Sequence, residues 1–159
     1  MSKLRGVPLF ESLWTRRVTI EVEGEPVELL SLPDLVLAKK TQRDKDWPMI
    51  RRLVEQDYFS SASPTPQQLD FWLAESRTPE ILLGLVSQFP DRAKLSERPA
   101  VLAAIRRDHE AIEGAIEEEQ RSERAADRLY WAPLKKELEQ LRRFHDRSER
   151  SEPRVDKPT

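Results

Sequence analysis

Lys39 and Arg43 stand four residues apart, so one face of a helix carries both cations. Neither is needed to build a core. They belong to the run Lys39-Lys40-Thr41-Gln42-Arg43-Asp44-Lys45-Asp46, for which two chemistries compete. A cationic face can take up an anionic group. Alternatively, lysine at the end of a helix complements the macrodipole, and Asp46 caps the helix that follows. Spacing alone favours the second reading.

Other chemistry-bearing residues are scattered. His109 and His145 lie far apart without convergent ligand spacing. Glu110 and Glu113 follow His109, and surface helix polarity explains that trio more simply than a metal site. The acidic run Glu117-Glu118-Glu119 reads as a solvated helix face. Trp14, Trp47, Trp72 and Trp131 fall on separate elements, which suits core or interface packing better than a platform for stacking bases. With no cysteine, the chain has no disulfide, thiol nucleophile or Cys-ligated zinc.

The elements that must position these residues are legible. Val18, Ile20 and Val22, then Val27 and Leu29, alternate with polar residues around Glu23-Gly24-Glu25-Pro26. That pattern predicts a β-hairpin with one buried face, and Pro26 opens its second arm. Two strands alone are marginal in water and need more sheet, a covering helix or another chain. Ser31 and Asp34 form a capping-box pattern ahead of Leu35, Val36 and Ala38. Asp46-Trp47-Pro48 marks the next helix, with Ile50, Leu53 and Val54 as its stripe. Ser60 to Pro66 reads as a linker. Thr65 caps a helix carrying Leu69, Trp72 and Leu73, and Thr78 caps one carrying Leu82, Leu85, Val86 and Phe89. Pro99 opens a further helix bearing Val101, Ile105, Ile112 and Ile116. A charged stretch runs from Glu117 to Leu129. Leu134, Leu138, Leu141 and Phe144 then form a narrow stripe suited to a partner surface, with Pro133 at its start or at a kink.

The charge balance, 27 Lys and Arg against 29 Asp and Glu, argues against a nucleic-acid coat, which needs a basic excess. No apolar run reaches the length of a membrane span, and the N-terminal MSKLRGVPLF lacks a signal-peptide core, so a cytoplasmic protein is expected.

The stretch LSLPDLVLAKKTQRDKDWPMIRRL, Leu30 to Leu53, follows the hairpin. It has the form S-x-x-D-L-x-x-x-K, from Ser31 to Lys39, and then R-x-K-D, from Arg43 to Asp46. In this order the chain resembles the second half of a nucleotidyltransferase domain of the toxin-type and abortive-infection-type branch, over the segment Lys3 to Tyr58. The resemblance implies that Lys39, or Lys40 in the alternative register, faces nucleotide phosphates, with Arg43 as a second contact and Asp46 as cap and orienting acid. It also implies two-metal phosphoryl transfer in the complete domain, with Mg²⁺ on carboxylates that precede this stretch beside a Gly-Ser turn. Met1 falls after the last of those expected acids. Asp34, Asp44 and Asp46 lie at helix starts and not on adjacent strands, which is the wrong context to replace them. No catalytic residue and no metal ligand is therefore expected in the chain. Mg²⁺ and a nucleoside triphosphate enter only with an upstream catalytic half.

The expected fold is α+β and mostly helical. A partial nucleotidyltransferase-like core of hairpin and helices spans 1–59, a helical region spans 65–145, and a disordered tail spans 146–159. The leading functional expectation is a nucleotidyltransferase-like protein, truncated or degenerate, that is inactive on its own. The alternative is a helical interaction module, antitoxin-like or regulatory, using the sheet edge and the Leu134–Phe144 stripe. A homo-oligomer or protein partner and weak nucleotide binding fit these readings. RNA binding through Arg16, Arg17, Lys39, Lys40 and Arg43 is disfavoured by the near-neutral charge.

Overall fold

Proline and short polar side chains set most of the helix starts. The computed structural model describes residues 5–151, with side chains through residue 144. A short helix α1 (Phe10–Thr15) precedes the hairpin of β1 (Val18–Val22) and β2 (Glu25–Leu29). Eight-residue α2 (Leu32–Lys39) and α3 (Asp46–Ser60) follow. Next come α4 (Pro66–Glu75), α5 (Pro79–Gln88), a single turn α6 (Pro90–Ala93), α7 (Pro99–Ile105) and the long α8 (His109–Ser151). The chain is thus mostly helical, with one two-stranded antiparallel sheet among the described residues. No described helix is long and apolar enough to cross a membrane.

The helix α4 starts on a complete capping box. Thr65 Oγ1 accepts from the Gln68 amide at 3.2 Å, and Gln68 Oε1 accepts from the Thr65 amide at 3.0 Å. Ser31 likewise accepts from the Asp34 amide at the start of α2. Thr78 departs from expectation. Its hydroxyl makes no cap bond and donates instead to Glu55 Oε1 of α3, which ties the α4–α5 connection to α3.

The helix expected to run from Pro99 through Ile116 is broken in two. Arg107 takes a positive φ of 58°, and its amide donates to Ala104 O while that of Asp108 donates to Ala103 O. This paired closure ends α7 in the manner usually built on glycine. The Asp108 carboxylate then accepts from the Ala111 amide and starts α8. Ile112 and Ile116 therefore belong to α8, and they cross back over α7. Pro133 lies within α8, which continues past it to Ser151, into the stretch from 146 where composition predicts disorder. Residues 152–159 of that tail lie outside the described residues.

One core joins the two expected segments across the Ser60–Pro66 linker. Val36, Trp47, Ile50 and Val54 from the first pack with Trp72, Leu82, Leu85, Val101 and Ile112 from the second. Burying each of these large side chains contributes about 1.5–3 kcal/mol. Trp72 is the largest fully buried side chain among the described residues, its ring edge-on to Tyr58 and its indole N–H donating to Asp57 at 2.7 Å.

The hairpin lies outside this core. Glu23 and Gly24, both at positive φ, make a two-residue turn flanked by the Val22–Glu25 pair, so the turn is tighter than the four-residue stretch expected. Every residue of both strands is exposed, and the expectation of a buried face does not hold. Val18, Ile20, Val22, Val27 and Leu29 are each 37–47% exposed. Alternation correctly separates an apolar from a polar face, but it does not say whether a second layer covers either one. Among the described residues none of the helices does.

Candidate functional site

The α2–α3 junction carries the residues singled out by spacing. Ser31 and Asp34 open α2, and Asp34 is buried. Arg16, just after α1, donates to both Asp34 oxygens, from Nε at 3.0 Å and Nη2 at 2.7 Å. Ser31 Oγ adds a third donor at 2.6 Å. The Arg16 hydrogen bonds hold the Asp34 carboxyl below the usual carboxylate range.

At the other end of α2, Lys39 is the last helical residue and Lys40 the C-cap. Asp46 begins α3 but makes no cap bond, because its carboxylate turns inward. It is 2% exposed and accepts from Thr41 Oγ1 at 2.5 Å and Arg43 Nε at 2.8 Å, with Lys39 Nζ at 3.8 Å. Burial opposes its charged form. The Thr41 and Arg43 donors and the Lys39 charge outweigh that, so its carboxyl lies below the ordinary range. The capping role expected of Asp46 is thus replaced by a bracing one. Its residue type was legible, but the direction of its side chain depended on the Thr41–Lys45 loop folding back over it.

The sequence-selected cations are all engaged within the chain. Lys39 and Arg43 converge on Asp46, and Lys40 reaches across to Glu75 at the end of α4, with 2.7 Å between Nζ and Oε1. Only Arg43 keeps a side chain more than half exposed, at 57%. Arg5 donates to Lys40 O at 2.9 Å and closes the C-terminal end of α2.

The helix α8 completes the site from the other side. Asp127 accepts from the Gln42 amide at 2.9 Å and from the Trp131 indole at 3.1 Å. Arg124 of α8 pairs with Asp44 at 3.0 Å. Between this loop and α8 lies a groove of about 330 Å³. Thr41, Gln42 and Arg43 form one wall, and Trp131, Leu134 and Leu138 form the other. Part of the leucine stripe and part of the basic run, read separately in the sequence, therefore face the same space. The stripe itself remains open: Leu134, Leu138, Leu141 and Phe144 are all exposed.

A second polar centre escaped sequence reasoning. The segment Ser76-Arg77-Thr78 between α4 and α5 is buried. Arg98, ahead of α7, donates to Leu73 O at 2.8 Å and Ser76 O at 2.9 Å, satisfying carbonyls at the end of α4. Its guanidinium also pairs with Glu119 at 2.8 Å. One member of the acidic run is thus a structural partner and not part of a solvated face, while Glu118 pairs with Arg121 on the surface. Arg77 lies over the Trp47 ring, 4.7 Å from its centroid, with its Nε and Nη1 buried and without hydrogen-bond partners. Burial and the nearby Arg98 charge lower its pKa. A cavity of about 390 Å³ opens beside Arg77 and Arg98. No sequence signal marked these two arginines, since the groups they meet, Trp47 and Glu119, lie on distant elements.

The remaining candidates separate. His109 sits at the surface between Glu80, 3.4 Å from Nε2, and Glu113, 3.8 Å from Nδ1. Trp47 and Trp72 are core residues, whereas Trp14 is exposed and stacked on Phe10. The side chain of His145 lies outside the described residues. Among the described residues no three His, Asp or Glu side chains converge so as to hold a metal ion. The Asp34 and Asp46 carboxylates, saturated by guanidinium and hydroxyl donors, do not fit a Mg²⁺ site. No family model matches the chain, and no curated protein or solved structure matches it.

Proposed function

We propose that the chain is a nucleotidyltransferase-like protein that transfers no nucleotide by itself and acts as an association module. The observation that carries the reading is the hairpin. Five apolar side chains share one face and stay 37–47% exposed beside a helical body that has its own complete core. A two-stranded sheet with an open apolar face is an incomplete structure, and another polypeptide completes it.

The order of elements supports the nucleotidyltransferase part. Strand, Ser31-capped helix and the Arg43–Asp46 stretch follow one another and form one braced unit around Asp34 and Asp46. Any Mg²⁺ or nucleoside triphosphate belongs, in this reading, to a polypeptide that brings its own carboxylates. The contribution of this chain to a nucleotide is limited to Arg43 at the rim of the groove, a weak and salt-sensitive contact.

Incubating the pure chain with labelled nucleoside triphosphates and Mg²⁺ tests the first half. No transfer to protein, RNA or a small molecule is expected, and transfer that disappears in Asp46→Ala would overturn it. Sedimentation tests the second half. Self-association or capture of a partner is expected to weaken in Val27→Glu, while a compact monomer at high concentration that binds nothing counts against it.

A further inference from the structure

The two-residue turn fixes which backbone groups of the hairpin face outward. Val22 and Glu25 flank the turn and exchange hydrogen bonds, as do Ile20 with Val27 and Val18 with Leu29. The alternate residues therefore aim their N–H and C=O groups away from the ladder: Thr19 and Glu21 on β1, Pro26 and Glu28 on β2. The two free edges are not equivalent. Pro26 has no N–H, so the β2 edge lacks a donor in its middle. The Glu28 side chain on that edge is held by Arg17 at 2.7 Å and by Thr19 at 3.0 Å. The β1 edge keeps its full set of donors and acceptors. It carries no proline, no bulge and no lysine; Glu21 is the one charged residue of this five-residue strand.

The β1 edge is also self-complementary. An antiparallel pairing with a second copy, centred on Ile20, sets Thr19 opposite Glu21 of that copy and Val18 opposite its Val22. Ile20 meets Ile20 at the two-fold axis. All the apolar residues then fall on one face, and the Thr19–Glu21 pairs fall on the other. No like charges oppose one another, and Arg17 of each copy lies beside Glu23 at the other's turn. We infer that two copies of this chain associate through their β1 edges in this register, fusing two two-stranded sheets into one of four strands. This rests on the association reading and names its partner.

Three measurements on the full chain decide it. Sedimentation of the wild type should give a concentration-dependent dimer. Thr19→Pro removes an outward donor in each copy without touching a backbone hydrogen bond of the hairpin, losing within it only the side-chain bond from Thr19 to Glu28, and should weaken the dimer by at least about tenfold. The chain has no cysteine, so Ile20→Cys creates a single thiol at the two-fold axis. Cross-strand Cα atoms at such a non-hydrogen-bonded position are about 4.5 Å apart, within disulfide reach. Mild oxidation should therefore yield a covalent dimer from Ile20→Cys and little from Glu28→Cys on the other edge. A dimer untouched by Thr19→Pro, with no crosslink through Ile20→Cys, would overturn the edge assignment and leave association by another surface standing. A monomer at every concentration, with no crosslink, overturns the edge, and the association reading too if that monomer also binds no partner. If Thr19→Pro disturbs the Ile20–Val27 contacts seen by NMR, the crosslinking result alone decides.

Discussion

Arg43 Nε donates to Asp46 Oδ2 at 2.8 Å, so the guanidinium best placed for an outside anion is already held by the acid that opens the next helix. Lys39 approaches the other oxygen of the same carboxylate. The basic run is therefore first a support for a buried acid. Asp46→Ala should destabilise the chain by about 1–3 kcal/mol, because the Thr41 hydroxyl loses its acceptor and the loop its anchor. Urea unfolding measures this, and a change within the error of the midpoint would refute it.

The same arrangement gives the double substitution of Lys39 and Arg43 by Ala a definite sign. If these residues served only an external phosphate, the melting temperature would stay unchanged. We expect it to fall, since both cations offset the desolvated Asp46 charge. Wild-type chemical shifts near Arg43 at high nucleotide and low salt report separately on any phosphate contact.

Acid should weaken the fold through Asp34 and Asp46. Both carboxyls lie below their ordinary range in the folded chain, so the unfolded chain binds protons more readily. Their stabilisation is fully present above the unfolded value of about 3.9 and disappears as pH falls through the lower folded values. The urea midpoint should drop along this acid limb, and Asp46→Asn should flatten it. An acid limb of the same slope in Asp46→Asn would assign the effect to other groups.

Arg77 and Arg98 should respond in opposite directions. Arg77 has two buried nitrogens without hydrogen-bond partners, so Arg77→Met, which trades the cation–π contact with Trp47 for an apolar one and removes a desolvated charge, should be neutral or stabilising. Arg98→Met leaves the carbonyls of Leu73 and Ser76 and the Glu119 carboxylate unpaired, and should cost about 3 kcal/mol or more. Equal losses in the two variants would mean that Arg77 has a partner role of its own.

Leu138 and Asp127 separate surface from support on α8. Leu138 is exposed at the groove wall, so Leu138→Glu should change stability by no more than about 0.5 kcal/mol while weakening any partner bound there. Asp127→Ala releases the Gln42 amide and the Trp131 indole together, and should loosen α8 from the α2–α3 loop. Hydrogen exchange at Gln42 would show it as faster exchange.

The amino-acid sequence by itself determined where α2, α4, α5 and α7 begin and most of the residues that α3, α4 and α5 turn inward. Thr65 and Gln68, Ser31 and Asp34, and the prolines opening α4, α5 and α7 act within one turn of their own positions, so nothing distant is needed to read them. The same locality made the hairpin and the cationic run visible. Tertiary structure decided what those features meet. Whether Val18, Ile20 and Val22 are covered depends on a second layer, and among the described residues none of the helices supplies one. Whether Asp46 caps or braces depends on the Thr41 loop. The break at Arg107 depends on α8 folding back over α7, a gain in core packing large enough to hold a non-glycine residue at positive φ. The charged centre of Arg77, Arg98 and Glu119 was illegible for a similar reason. Ion pairs between residues 21 or more positions apart leave no periodicity in the chain, and only burial among converging helices makes them matter.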